Sequence, residues 1–176
     1  MKNILFSITL ILLLLACKEN KEQASVNKNE EPALEEVSLI PVFNFDGLEE
    51  AYFKNEDNIT YVINFWATWC KPCVKELPAF EKINEDYKDK NVKVILVSLD
   101  FPEKLKTGVE PFIEKYKLKS EVVLLDDEDA NTWIPKVSDE WSGAIPATVI
   151  VKNDEKFFYE RSFTFEELEK EVNKLL

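Results

Sequence analysis

The sequence predicts an α/β domain in which a mixed central sheet is flanked by helices. Three observations carry that expectation. Tyr61, Val62, Ile63, Asn64, Phe65 and Trp66 form a nearly unbroken apolar run of strand length, rich in β-branched and aromatic residues, as a strand buried on both faces requires. From Val74 the pattern turns helical: Leu77, Phe80, Ile83 and Tyr87 recur between Lys75, Glu76, Glu81, Lys82 and Glu85. Strand and helix signals alternate through the first part of the chain, which then closes on a hairpin and a last helix.

Taken in order, the chain starts with Lys2 and an apolar run, Ile4–Leu15, broken only by Ser7 and Thr9 and ending in Leu14-Leu15-Ala16-Cys17. The run is too short for a membrane span of about 20 residues but suits the hydrophobic region of a signal peptide, so residues 1–16 read as one. Leu-Leu-Ala-Cys resembles the bacterial lipobox, which implies that Cys17 becomes a lipidated N-terminus. The plainer alternative is a secreted chain cleaved near Ala16 with a spare thiol. After Cys17, residues up to Val37 are polar and charged, with no aromatic residue and one proline, Pro32. Such a segment buries too little apolar surface to offset the entropy of ordering it, so residues 17–37 are expected to be a flexible tether. Residues 38–176 suit a single domain of common size.

Within that domain Val37–Phe45 reads as a first strand and Leu48–Lys54 as a short helix starting after Asp46-Gly47. The Tyr61–Trp66 strand and the helix from Val74 follow, with Pro78 expected to kink that helix. Val92–Leu99 is another apolar strand. Glu103–Tyr116 reads as a helix with Leu105, Val109, Phe112, Ile113 and Tyr116 on one face, made irregular or split by Pro111. Glu121–Leu125 is a further strand, whereas Asp126–Glu140 is acidic and poorly patterned, with a helical turn near Ala130–Ile134. Ala147–Val151 and Lys156–Phe163 read as strands joined through Asn153-Asp154, a weak hairpin signal because Glu155 rather than Gly follows. Thr164 and Glu167 stand at capping-box spacing before a helix that places Phe165, Leu168, Val172 and Leu175 on one face.

The chemistry-bearing stretch is Trp69-Cys70-Lys71-Pro72-Cys73, where the buried strand gives way to the helix. A helix N-terminus offers unpaired N–H groups and partial positive charge, which favour a thiolate, the reactive form of cysteine. Two intervening residues put Cys73 one turn on, within reach of a small disulfide ring or of a mixed disulfide held on Cys70. Pro72 suits the first helical turn, where its missing N–H is no loss. Half of a structural zinc site is the competing reading. A four-ligand site needs two more Cys or His, and the chain has no His and three Cys in all, so no metal site is expected.

Asn64-Phe65-Trp66-Ala67-Thr68-Trp69-Cys70-Lys71-Pro72-Cys73, followed by Glu76-Leu77-Pro78, resembles the active-site segment of the thioredoxin-like, TlpA/ResA-type thiol–disulfide oxidoreductases. The likeness is dense over residues 60–80 and looser over about 39–176. It implies a thioredoxin-like fold, with Cys70 as attacking thiol and Cys73 as resolving thiol. It also bears on Gly143-Ala144-Ile145-Pro146-Ala147-Thr148. From composition alone Pro146 is a trans turn proline at a strand entrance. The resemblance instead implies a cis-proline facing the cysteines, with the Ile145 backbone pairing with an extended substrate segment.

Glu76 lies three residues past Cys73, near the same helical face. Spacing alone makes it a surface glutamate on an acidic helix, while the resemblance links it to active-site proton handling, where it would take a proton from Cys73. Asn64 occupies the position at which ordinary thioredoxins carry a buried aspartate. An amide cannot shuttle a proton near neutral pH, so that burden would pass to Glu76, Lys71 or water. Trp69 is expected to be a partly exposed substrate platform and Trp66 a core residue, with Trp133 and Trp141 packing near the approach to Pro146.

Thirty-four acidic against twenty-two basic residues give a net charge of −12, or −13 once Lys2 leaves with the signal segment. No basic cluster interrupts the acidic surface, which argues against nucleic acid as a partner. These readings together predict a membrane-anchored thiol–disulfide oxidoreductase that reduces disulfides of exported proteins and is re-reduced by a membrane thiol donor. A role in cytochrome c maturation follows from the resemblance alone. No cofactor beyond the redox-active disulfide is implied, and a monomer is expected. Lys18 after Cys17, rather than Asp, tilts the expected location to the outer membrane, in a periplasm-facing or surface-exposed lipoprotein. Two alternatives stand beside this reading. A peroxiredoxin-like peroxide reductase would want threonine three residues before its cysteine, where Ala67 stands. A non-catalytic peptide-binding lipoprotein would hold an extended segment at the Pro146 loop without turnover.

Overall fold

The apolar run at the centre of the sequence becomes the centre of the sheet. In the computed structural model, which describes residues 38–54 and 57–176, the sheet is built from β1 (Val42–Phe43), β2 (Thr60–Trp66), β3 (Val92–Ser98), β4 (Glu121–Leu125), β5 (Ala147–Lys152) and β6 (Glu155–Tyr159). Among the described residues their order is β1-β4-β3-β2-β5-β6. β2 runs parallel to β3, with Trp66 opposite Ser98, and antiparallel to β5, with Phe65 opposite Ala147. Parallel and antiparallel pairs thus meet on one strand, giving a mixed sheet. Residues 1–37 lie outside the described residues, and with them the expected signal segment, Cys17, the expected tether and the start of the expected first strand.

Every residue of β2 is buried, and its alternation sends side chains into two cores. Val62 and Trp66 join Leu77, Phe80, Leu96, Leu168 and others on the face covered by α2 (Lys71–Asp86), α3 (Glu110–Tyr116) and α5 (Phe165–Val172). Ile63 and Phe65 join Phe45, Leu48, Trp133 and Trp141 on the opposite face, covered by α1 (Phe45–Tyr52) and α4 (Ala130–Val137). A helix layer on each face explains why β2 carries no polar–apolar alternation in sequence.

Several boundaries differ from the sequence expectation, each for a local reason. α1 starts at Phe45 because Asn44 caps it, its side-chain oxygen accepting the Gly47 N–H at 3.0 Å. The helix therefore includes Asp46-Gly47 rather than following them, and it cuts β1 to two residues. The region before Pro111 is split into a 3-10 turn at Pro102–Lys104, a π-turn at Leu105–Val109 and then α3. α2 continues through Pro78 to Asp86 as one helix. α4 extends three residues beyond the expected turn, to Val137. β6 stops at Tyr159 instead of Phe163, because the chain leaves the sheet there and crosses towards α2. The capping box is formed as expected: Thr164 accepts from the Glu167 N–H at 3.3 Å, and the Glu167 carboxylate accepts the Thr164 N–H at 2.8 Å.

Candidate active site

The turn between β2 and α2 carries Ala67-Thr68-Trp69-Cys70. Cys70 is the N-cap of α2: its sulfur accepts the Cys73 N–H at 3.3 Å, and its carbonyl accepts the Val74 N–H at 3.0 Å. Pro72 occupies the first helical turn. Cys70 and Cys73 form a disulfide with their Cα atoms 5.3 Å apart. They are not equivalent. Cys70 keeps 5% of its surface exposed, and Cys73 keeps none.

The turn is held from the side by the segment after β3. The Asp100 carboxylate accepts the Thr68 N–H at 2.9 Å and the Thr68 hydroxyl at 2.6 Å. It also accepts the Ser98 hydroxyl at 2.8 Å, while the Asp100 N–H donates to that Ser98 oxygen at 3.1 Å. Asp100 is 4% exposed, so these donors stand in for the water it has lost. On the other side, the Ile145–Pro146 peptide bond is cis, and the Ile145 carbonyl oxygen lies 3.8 Å from the Cys70 sulfur. The loop leading there passes through Gly143 at φ +90, a conformation in which a side chain would be strained and would press on Ile134.

Glu76 is not the surface glutamate that spacing alone suggests. It is 4% exposed, between β2, α2 and the segment after β6. One carboxylate oxygen accepts the Asn64 amide at 3.0 Å, and the other accepts the Phe163 N–H at 2.8 Å. Burial pushes its pKa up to about 7, outweighing the downward pull of the Phe163 N–H, the Asn64 amide and the Arg161 charge. A groove of about 610 Å³, bounded by Pro72, Lys75, Ala79, Phe163 and Phe165, includes Glu76 in its wall. Asn64 also donates to the Thr148 hydroxyl at 3.1 Å, while its own side-chain oxygen has no partner. Thus Asn64 at the aspartate position is wired to the carboxylate one helical turn past Cys73.

Trp69 is 64% exposed beside Cys70, while Trp66 is fully buried. Trp133 and Trp141 are core residues whose indole N–H groups donate to the carbonyls of Asp127 and Ala144, at 3.2 and 2.8 Å. Both pack on Phe65, so their role is to support β2 from below. Cys17 lies outside the described residues. Among the described residues no three His, Cys, Asp or Glu side chains gather to hold a metal ion, and no helix is long and apolar enough to cross a membrane. The Asp100 clamp and the Phe163 bond to Glu76 had no local sequence signal, since each joins residues that only the fold brings together.

A buried strand that ends in a Cys-x-x-Cys helix cap opposite a cis-proline can exchange a disulfide with a bound one. Comparisons with known proteins agree with that chemistry. The AhpC/TSA family model matches residues 44–159. Thioredoxin-like protein YneN of Bacillus subtilis is 33% identical over 133 residues, covering 74% of this chain and 76% of YneN. Thiol-disulfide oxidoreductase ResA of Bacillus cereus is 35% identical over 95 residues, 53% of this chain and 49% of ResA, so the match spans about half of that relative. The crystal structure of StoA from Bacillus subtilis superposes with a TM-score of 0.51 at 26% identity, over 64% of this chain and 81% of StoA. A secreted thiol-disulfide isomerase from Corynebacterium glutamicum shares the fold, with a TM-score of 0.58 at 16% identity over 72% of this chain and 74% of that one. The chain belongs to the AhpC/TSA family and stands, within it, among the thioredoxin-like thiol–disulfide oxidoreductases.

Proposed function

We propose that this protein reduces disulfides of exported polypeptides through the Cys70–Cys73 dithiol. The observation that carries this reading is the unequal placement of the two sulfurs on the α2 N-terminus, with Cys70 at the cap keeping 5% of its surface open to solvent and Cys73 fully enclosed behind it. In the reduced enzyme the Cys70 thiolate attacks one sulfur of a substrate disulfide, forming a Cys70–substrate disulfide and releasing the other substrate sulfur as a thiolate. Cys73 then loses its proton and attacks Cys70, forming the intramolecular disulfide and releasing the second substrate thiolate. Two electrons pass to the substrate, and a membrane dithiol donor returns them. Glu76 is the acceptor for the Cys73 proton, since a carboxyl with a pKa of about 7 can take and give a proton near neutrality. The Ile145 backbone beside Pro146 pairs with the extended substrate, and Trp69 lies under it.

The reducing direction is supported by the surroundings of the pair. A carboxylate one turn away on α2 and a second one bound to the active-site turn disfavour a thiolate, and a destabilised thiolate shifts the couple towards the disulfide, making the dithiol a stronger reductant. Family membership alone does not choose between disulfide and peroxide as oxidant. The second cysteine one turn on, and Ala67 where a peroxide reductase would want threonine, favour the disulfide. A signal-peptide-like start and the Leu-Leu-Ala-Cys17 sequence support an extracytoplasmic, lipid-anchored protein; Lys18 rather than Asp after Cys17 favours the outer membrane, and the TlpA/ResA-type resemblance alone favours a role in cytochrome c maturation. Insulin-disulfide reduction tests the reading. The wild-type protein accelerates it, Cys70→Ser does not, and Cys73→Ser accumulates a mixed disulfide on Cys70 visible by mass spectrometry. Wild-type rates from Cys70→Ser would overturn it.

A further inference from the structure

We propose that the segment after β3 is the second wall of the substrate site, where Phe101 and Trp69 together receive an apolar side chain next to the substrate's cysteine. This rests on the thiol–disulfide reading above. β2 and β3 run parallel with Trp66 opposite Ser98, and the Leu99 N–H continues the ladder by donating to the Trp66 carbonyl at 2.8 Å. Two residues on, Thr68 is bound to Asp100 through both its N–H and its hydroxyl. The two segments therefore leave the sheet in step, and the next residue in each is Trp69 and Phe101. Trp69 and Phe101 therefore leave the same end of the sheet, each one residue past the Thr68–Asp100 clamp, with Trp69 next to Cys70 in the chain.

Trp69 and Phe101 are also the most exposed aromatic side chains among the described residues, at 64% and 68%. Among those residues neither ring stacks on another ring, whereas Phe45, Phe65 and Trp141 all pack against Trp133 in the core. A single exposed apolar residue is ordinary; two exposed aromatics that leave the same end of the sheet on the two segments joined by the Thr68–Asp100 clamp can serve one contact surface. Its occupant follows from the order of the sheet. β3 and β5 lie on opposite sides of β2, so the Ile145–Pro146 backbone borders the active-site turn on one side and Asp100–Phe101 on the other. A polypeptide that lies extended along Ile145 with its cysteine at Cys70 places the residue beside that cysteine over Trp69 and Phe101. The Asp100 carboxylate, by clamping Thr68, holds the two aromatics in that relation.

The experiment uses two disulfide-linked peptides that differ only in the residue next to the cysteine, Phe in one and Gly in the other, with kcat/KM measured for each. The wild-type protein is expected to prefer the Phe peptide by about fivefold or more, and Phe101→Ser to reduce that preference below about twofold. Phe101→Leu keeps an apolar body and is expected to retain most of the preference. A preference that survives Phe101→Ser overturns the inference, as does a wild-type protein that reduces both peptides equally well. A wild-type protein that reduces neither overturns the thiol–disulfide reading and this inference with it.

Discussion

Replacing Glu76 by Gln removes a carboxyl that burial holds up to about 7, against an ordinary value of 4.5. The folded protein therefore keeps this proton at pH values where the unfolded chain has lost it. The stability this contributes is fully present below about pH 4.5 and is lost as pH rises through about 7. For a single group with these two values, the loss between about pH 5 and about pH 8 is on the order of 2.5 kcal/mol. The chain has no histidine, so no imidazole obscures that window, and working with the oxidised protein removes the Cys70 and Cys73 thiols from it. Gln mimics the protonated acid. Its carbonyl can accept the Phe163 N–H, and its amide can donate to the Asn64 oxygen, which otherwise has no partner, once the Asn64 amide turns over. Urea unfolding at several pH values checks this. The wild-type protein loses stability towards pH 8, while Glu76→Gln stays nearly level and is the more stable of the two at the alkaline end. A wild-type profile that is flat from pH 5 to pH 8, or a Glu76→Gln profile that keeps the wild-type slope, refutes the assignment of this carboxyl.

Two further substitutions test the packing around the site. Leu168→Ala removes a fully buried side chain where α5 packs against the α2 face of the sheet, and is expected to cost about 2–5 kcal/mol in urea unfolding. Thr164→Ala breaks the capping box at the start of α5 and is expected to cost about 1 kcal/mol in the same assay, with the Cys70–Cys73 chemistry intact.

The parts of the molecule that could be read from the chain are those whose signal is local. Tyr61–Trp66 advertises burial on both faces by composition, and Cys70 and Cys73 sit where one period replaces the other. Thr164 and Glu167 announce a helix start by spacing. The helix expected after Asp46-Gly47 starts three residues earlier, at Phe45, because the Asn44 side chain caps it there. The Lys156–Phe163 run looks like one strand because nothing local marks its end at Tyr159. Past Tyr159 the chain is out of the sheet, and the Phe163 N–H is bonded to a carboxylate 87 residues earlier in the chain. Nothing local singles out Asp100, whose bonds to Thr68 join the segments that follow the parallel pair β2 and β3. Spacing placed Glu76 near the face that carries Cys73 but could not say that Phe163 would close over it. The polar contacts that tune the site are tertiary, and so they were the part least open to reading from sequence.

The most direct test of the account is a redox titration of the Cys70–Cys73 couple in dithiothreitol buffers, followed by thiol labelling and mass spectrometry. A dithiol flanked by carboxylates and acting as a reductant should titrate as one two-electron couple at a potential close to that of thioredoxin, about −270 mV. A couple near about −120 mV, the range of a strong oxidant, or cysteines that fail to exchange with the buffer, would contradict it.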